Sequence, residues 1–133
     1  MPDFPLPRPD AQTQPFWDGC RQNRLIYQRC RTCESVQFTP RAICQHCHHP
    51  ELAWETSSRL GTVMSHTRVH RAAHAAFRSQ TPYVIAILDM DEGFRLMVNA
   101  DPSIADAIRI GHRVRVGFTI VGDMALPVAK ELA

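Results

Sequence analysis

A chain of 133 residues with 44% hydrophobic positions has room for one domain, or for a small module joined to one modest core, and is too apolar to stay disordered. No apolar run approaches the roughly 20 residues of a membrane-spanning helix, so a soluble protein is expected. The formal charge of +2 falls to zero once the metal site read below is counted, which argues against a general polyanion binder, whose affinity rests on net positive charge.

Residues 1–12 hold four of the ten prolines and are expected to run extended over a surface without a core of their own. The start Met1-Pro2-Asp3-Phe4-Pro5 has no basic residue followed by an apolar run. It predicts no secretory leader and a cytoplasmic protein whose thiols stay reduced. Thr13 is placed to cap a short helix, with Pro15 in its first turn and Phe16 and Cys20 at i, i+4 spacing. Gly19 costs that helix about 1 kcal/mol relative to Ala. Phe16 and Trp17 either pack on their own domain or dock on another protein, because a short helix covers a Trp poorly alone.

Residues 25–29 read as a strand leading into Cys30-Arg31-Thr32-Cys33. Ser35-Val36-Gln37-Phe38 returns, and Pro40-Arg41 turns the chain towards Cys44-Gln45-His46-Cys47. Two Cys-x-x-Cys pairs, ten residues apart, can each wrap one side of a single metal ion. Thiolates in this pattern suit one Zn²⁺, held by four sulfurs at about 2.3 Å in a tetrahedron. A closed four-sulfur shell has no position for water or substrate, so Cys30, Cys33, Cys44 and Cys47 predict a structural site. Disulfides would need an oxidising compartment, and a thioredoxin-like redox pair would need a βαβ setting that the flanks lack. His46, His48 and His49 are expected to sit exposed on the second knuckle, and Cys20 to pack as a small apolar residue. Four thiolates and one Zn²⁺ bring the formal charge from +2 to zero. Leu52 and Trp54 follow as the apolar exit. So small a ribbon cannot bury enough surface alone, and the metal supplies what its core lacks.

From residue 60 the pattern changes to strands. Residues 61–69 form a long strand, expected to bend, and 83–89 the clearest strand in the chain. Asp91-Glu92-Gly93 predicts a hairpin turn with Gly93 at positive φ, and 94–99 returns. Asp101-Pro102-Ser103 opens a short helix with Ile104, Ala107 and Ile108 on one face, ended by Gly111. Strands at 114–121 and 125–130 follow. The fold class is therefore mainly β. It comprises an extended N-terminus and short helix over 1–24, a zinc ribbon over 25–57, and a five-stranded OB-fold barrel over 58–133.

There is no Gly-x-Ser-x-Gly turn, no phosphate-cradling glycine loop and no histidine-carboxylate motif at metalloprotease spacing. Asp89, Asp91 and Glu92 are expected as a solvated hairpin tip. The chain is thus read as not itself an enzyme. The loop 70–81 carries His70, Arg71, His74 and Arg78 around small alanines and Phe77. Its alanines would admit an acyl or pantetheine chain, while its cations meet CoA phosphates or an acidic partner surface. An exposed basic loop with no ligand is the plain alternative. A nucleic-acid-binding module is the rival of another class, but the central strands carry aromatics only at Tyr83 and Phe94, each at a strand end. Exposure of Trp17 and Trp54 would leave the chain reliant on a partner.

The ordered set Phe16-Trp17-Asp18-Gly19, residues 25–33, Phe38-Thr39-Pro40-Arg41, residues 44–47, Gly61-Thr62-Val63, Pro82-Tyr83-Val84, Ile110-Gly111 and Leu126-Pro127 carries a resemblance over nearly the whole chain. It resembles the bacterial and archaeal family that joins a rubredoxin-like zinc ribbon to an OB-fold acyl-CoA-associated domain. The resemblance implies a non-catalytic subunit that assembles with a thiolase-like enzyme, an aldolase or an acyl-CoA hydratase and helps bind or channel an acyl-CoA. The chain departs from that family's pattern at Glu34 and His48, where glycine often follows each cysteine pair, and in a tail (126–130) that is less basic.

Overall fold

Strand β1 (Ile26–Cys30) is the spine of the N-terminal half. It pairs antiparallel with β2 (Val36–Gln37) on one side and β3 (Leu52–Thr56) on the other. The computed structural model describes residues 5–132. Of the proline-rich start, 1–4 lie outside the described residues and 5–10 run without helix or strand. Leu52 and Trp54, expected only as an exit from the ribbon, belong to β3, in register from Ile26↔Thr56 to Cys30↔Leu52.

Helix α1 (Gln14–Arg21) buries Phe16 and Cys20, as their spacing predicts. Thr13 stands at the cap position, yet its side chain caps nothing in the helix; Oγ1 accepts from the Asp10 N–H at 3.0 Å. Asp10 Oδ1 closes the turn from the other side, accepting from the N–H groups of Gln12 and Thr13, both at 2.9 Å. Gly19 has a packing reason to be in the helix. A Cβ there would stand 3.0 Å from the Arg24 carbonyl and 3.5 Å from the Ile26 side chain, so any larger residue would push α1 off β1.

The second half is a closed barrel of β4 (Leu60–Val69), β5 (Tyr83–Met90), β6 (Arg95–Ala100), β7 (Arg113–Val121) and β8 (Met124–Lys130), in the order β4-β5-β6-β8-β7. Alternation along β5 and β6 turns Val84, Ala86 and Leu88, and Leu96, Val98 and Ala100, into the core. The bend in β4 is a register shift between Val63 and Ser65. Helix α2 (Pro102–Ala105) lies between β6 and β7, the arrangement of an OB-fold. It is shorter than its sequence suggests. Asp101 caps it by accepting from the Ser103 N–H at 3.1 Å, but the chain leaves the helix after Ala105, so Ala107 is exposed while Ile104 and Ile108 stay buried.

Ribbon and barrel share one apolar core. Tyr27 of β1 stacks on Phe94 with ring centroids 4.8 Å apart, and Phe38 bridges Phe16 (5.0 Å) and Phe94 (5.8 Å). Each such ring pair adds about 0.5–1.5 kcal/mol beyond the area it buries. Trp17 and Trp54, whose exposure would leave the chain reliant on a partner, are half-buried against this core.

The acidic turn between β5 and β6 is solvated at Asp89 and Asp91, as expected, but its carboxylates are also tied into the fold. Asp89 pairs with Arg95 at 2.8 Å, and Asp91 takes both terminal nitrogens of Arg113 at 2.7 and 2.9 Å. Glu92 accepts from the Ser57 hydroxyl at 2.6 Å and the Ser58 N–H at 2.7 Å, which ties the ribbon's exit to the barrel. Gly93, at φ +103°, makes the turn that brings these carboxylates round. Burial opposes the Glu92 charge, but the hydrogen bonds from Ser57 and Ser58 outweigh it and hold the carboxyl below 4.5. The Arg113 hydrogen bond holds Asp91 below 3.8 in the same way. Depressed carboxyls contribute stability that is present above their unfolded pKa and lost as pH falls through the folded one. The contribution of these carboxyls to urea stability is therefore expected to be flat from pH 8 to about 5 and to fall below it, in addition to the loss that protonation of the zinc thiolates brings as pH falls. Glu92→Gln should lose roughly 1 kcal/mol at neutral pH, a screened charge-assisted bond, and show a shallower acid loss. Equal acid slopes for the two proteins would remove Glu92 from this role.

Candidate functional site

The two knuckles are built alike. After the first, the N–H groups of Thr32 and Cys33 point at Cys30 Sγ (3.4 and 3.5 Å) and Glu34 N–H donates to the Cys30 carbonyl at 3.0 Å. After the second, His46 and Cys47 N–H point at Cys44 Sγ (3.3 and 3.5 Å) and His48 N–H donates to the Cys44 carbonyl at 2.9 Å. Amides aimed at a sulfur favour its thiolate form.

All four sulfurs lie within 4.8 Å of one another, with Cys30–Cys47 at 3.5 Å and Cys33–Cys44 at 3.7 Å. A zinc tetrahedron with bonds of about 2.3 Å has edges of about 3.8 Å, so the donor set fits the ion. The four cysteines make one closed, structural Zn²⁺ site. Taken without metal, Cys33 and Cys47 are shifted in opposite directions. The Ser35 side chain and N–H hold Cys33 down at about 6. At Cys47 the His49 N–H also lowers the pKa, but burial and the three neighbouring sulfurs outweigh it and push the thiol up to about 12. Zinc resolves this conflict by binding all four as thiolates, at the expense of proton release. Cys20 stands apart, fully buried in the core, where burial raises its thiol to about 12 and leaves it inert. His46, His48 and His49 are exposed.

Two residues that the sequence reading did not single out position the second knuckle. Gln28 and Gln37 are cross-strand partners, 5% and 3% exposed. Gln37 Nε2 donates to Gln28 Oε1 at 2.7 Å. Gln28 also accepts from the Arg41 N–H (2.9 Å) and donates to the Arg41 carbonyl (3.0 Å), while Gln37 Oε1 accepts from the Gln45 N–H at 2.9 Å. The loop that carries Cys44 is thereby fastened to β1 and β2.

In the barrel's first loop, His74 caps a 3₁₀ helix (Ala75–Gln80): its Nδ1 accepts from the Ala76 N–H at 3.0 Å, which leaves Nε2 as the donor nitrogen of a neutral ring. Its ring meets Phe77 edge-on at 5.9 Å. His70, Arg71 and Arg78 are exposed, and neither arginine has an ion-pair partner among the described residues. Ala72 and Ala76 face inward and are buried, so these two alanines pack the loop onto the barrel and do not line a channel. Of the pair considered for docking, Phe16 is 3% exposed inside the chain's own core, and only Trp17 keeps a free edge, in the wall of a groove. Phe94 is likewise core, stacked on Tyr27, so Tyr83 is left as the partly exposed aromatic on the central strands.

Residues 17–53 match the model described as "ChsH2, rubredoxin-like zinc ribbon domain", and residues 54–119 match "ChsH2, C-terminal OB-fold domain". A DUF35 domain-containing scaffold protein of Methanocaldococcus jannaschii is 35% identical, over 71% of this chain and 67% of its own length. The chain belongs to the DUF35 family. A probable enoyl-CoA hydratase alpha subunit of Thermomonospora curvata is 36% identical over 93% of this DUF35 chain, which spans only 39% of that subunit's length. Among solved structures, a chain of the Ltp2-ChsH2(DUF35) aldolase superposes with a TM-score of 0.84 at 28% identity, covering 96% of this chain and 100% of that one.

The two departures from the ribbon pattern of such DUF35 proteins have a structural address. Glu34 and His48 sit at φ 65° and 66°, the left-handed region where glycine is at no disadvantage. His48→Gly is expected to stabilise the ribbon by roughly 0.5–1 kcal/mol, the left-handed cost less the added unfolded-state entropy. Denaturant melts of the zinc-loaded protein would test this, and a lowered midpoint would contradict it.

Proposed function

We propose that this DUF35 chain is a non-catalytic scaffold subunit of a cytoplasmic acyl-CoA-processing complex, assembled with an enzyme of hydratase, aldolase or thiolase-like chemistry. The observation that carries the reading is the likeness over 96% of the chain to a component of the Ltp2-ChsH2(DUF35) aldolase, ribbon and barrel together. Further support comes from the site chemistry. The metal shell is closed, and Asp91 and Glu92 are held ionised by structural partners, a poor state for general acid work. No helix of the described residues is long and apolar enough to cross a membrane.

In this reading the N-terminal helix and the ribbon (25–57) hold the partner, while the barrel (58–133) faces substrate. His70, Arg71, His74, Phe77 and Arg78 form the CoA-facing loop: the arginines offer unpaired charge for phosphates, and His74 offers its Nε2–H. The purified chain alone should turn over no acyl-CoA, whereas the complex isolated with it should; turnover by the chain alone would overturn the scaffold assignment. Arg71→Ala with Arg78→Ala should weaken CoA binding to the complex roughly tenfold by calorimetry, an effect of about 1.4 kcal/mol. Unchanged affinity would remove the loop from CoA recognition.

A further inference from the structure

A cleft of about 440 Å³ lies between the ribbon and the barrel. It shares no lining residue with the groove that Trp17 borders. Its apolar lining comes from Val36 and Phe38 on the ribbon and from Met90 and Phe94 on the barrel. Met90 and Phe94 are buried, so Val36 and Phe38, both half-buried, are the apolar side chains that a ligand would cover. Its polar lining includes Gln45 of the second knuckle and the cross-strand pair of Asp89 and Arg95. The volume lies in the lower part of the roughly 300–1,000 Å³ of small-molecule sites.

The polar groups of this cleft are only half used. Asp91 and Arg113 close on each other through two bonds, but Arg95 gives Asp89 a single bond from Nε to Oδ1. Both terminal nitrogens of Arg95, and Asp89 Oδ2, therefore have no partner among the described residues. The side-chain amide of Gln45 has none either, since only its backbone N–H is engaged, by Gln37. The side chains of Arg95 and Asp89 are 67% and 50% exposed, so an approaching molecule reaches both. An open pair of this kind presents the two signs side by side. A ligand with only negative charge is repelled by Asp89, and one with only positive charge by Arg95. A ligand that carries a carboxylate and an ammonium together satisfies both, with the carboxylate on the free fork of the guanidinium.

We propose that the cleft binds a free α-amino acid with an apolar side chain. Arg95 would take its carboxylate, Asp89 Oδ2 its ammonium, and Val36 and Phe38 its side chain. The site goes beyond the scaffold reading and stands independently of it.

The test is calorimetry on the full, zinc-loaded chain with phenylalanine, 3-phenylpropanoate, phenethylamine and glycine, for the wild type, Arg95→Gln and Asp89→Asn. Both substitutions are at surface positions, and zinc content with the far-UV spectrum checks that each variant is folded. Phenylalanine should bind the wild type with a Kd of about 1 mM or tighter. The other three ligands, which lack the ammonium, the carboxylate or the side chain, should each bind roughly tenfold more weakly or worse. Each substitution should weaken phenylalanine binding by a similar factor. Equal binding of 3-phenylpropanoate or phenethylamine would overturn the two-charge recognition and the proposal with it. Equal binding of glycine would overturn the part given to the apolar walls, and with it the choice of ligand. Phenylalanine binding that survives both substitutions would lie elsewhere on the chain and overturn the site. Absence of phenylalanine binding would also overturn it, as expected if Asp89 and Arg95 are only a solvated cross-strand pair.

Discussion

Cys44→Ser is expected to lose the bound zinc and unfold the ribbon, whereas Cys20→Ala should keep one zinc per chain. Apparent zinc-binding energies in small zinc-finger peptides are about 10–16 kcal/mol, more than the roughly 5–15 kcal/mol net stability of a whole small domain. Cys44 is fully buried and closes the tetrahedron against Cys33, so its replacement removes a ligand that no nearby group supplies. The damage should not stop at the ribbon. Tyr27 and Phe38 pack on Phe94, so collapse of β1 and β2 strips one wall from the barrel's core. Zinc analysis and thermal melting would check both variants. A Cys44→Ser protein with wild-type zinc and melting temperature would refute the four-sulfur site. Cys20→Ala should show only the modest cost of a small core truncation.

Gln28→Leu carries the second large expectation. Leucine is close in size and would be buried at little steric cost, but it leaves the Arg41 N–H and carbonyl without their Gln28 partner and the Gln37 amide with only its 3.3 Å bond to the Ile43 carbonyl. A buried group left unsatisfied costs about 1–3 kcal/mol; with the Arg41 groups only part-buried, a loss of roughly 2–3 kcal/mol follows for the set. Because these bonds fasten the loop that carries Cys44, zinc affinity should fall with stability, even though every sulfur is present. Competition with a chromophoric chelator measures this directly. Wild-type affinity in Gln28→Leu would mean that the knuckle holds its geometry without the glutamines.

Local chemistry made much of this architecture legible. Cysteine spacing specified the metal site, because ligands three positions apart on a tight turn can reach one ion. Period-two burial specified β5 and β6, where Val84, Ala86 and Leu88 turn inward. The roles that escaped notice depend on partners far along the chain. Glu92 reads as a solvated turn residue until Ser57, 35 positions earlier, meets it, and Asp91 does so until Arg113, 22 positions later, clamps it. Gln28 and Gln37 resemble ordinary polar strand positions, since nothing near them in sequence announces that a loop will fold over both. The groove was equally hidden, being assembled from α1, the first barrel loop and three strands. Phe16 and Trp17, adjacent in sequence, divide in the fold: one seals the core and the other keeps an edge on that groove.

The most direct test of the scaffold assignment is isolation of the tagged chain from its native host, followed by mass spectrometry of what accompanies it and zinc analysis of the same sample. The account predicts a hydratase, aldolase or thiolase-like subunit in near-equal amount, with one zinc for each copy of this chain. A chain recovered alone, or bound to nucleic acid, would contradict it and leave only the zinc ribbon and the barrel standing.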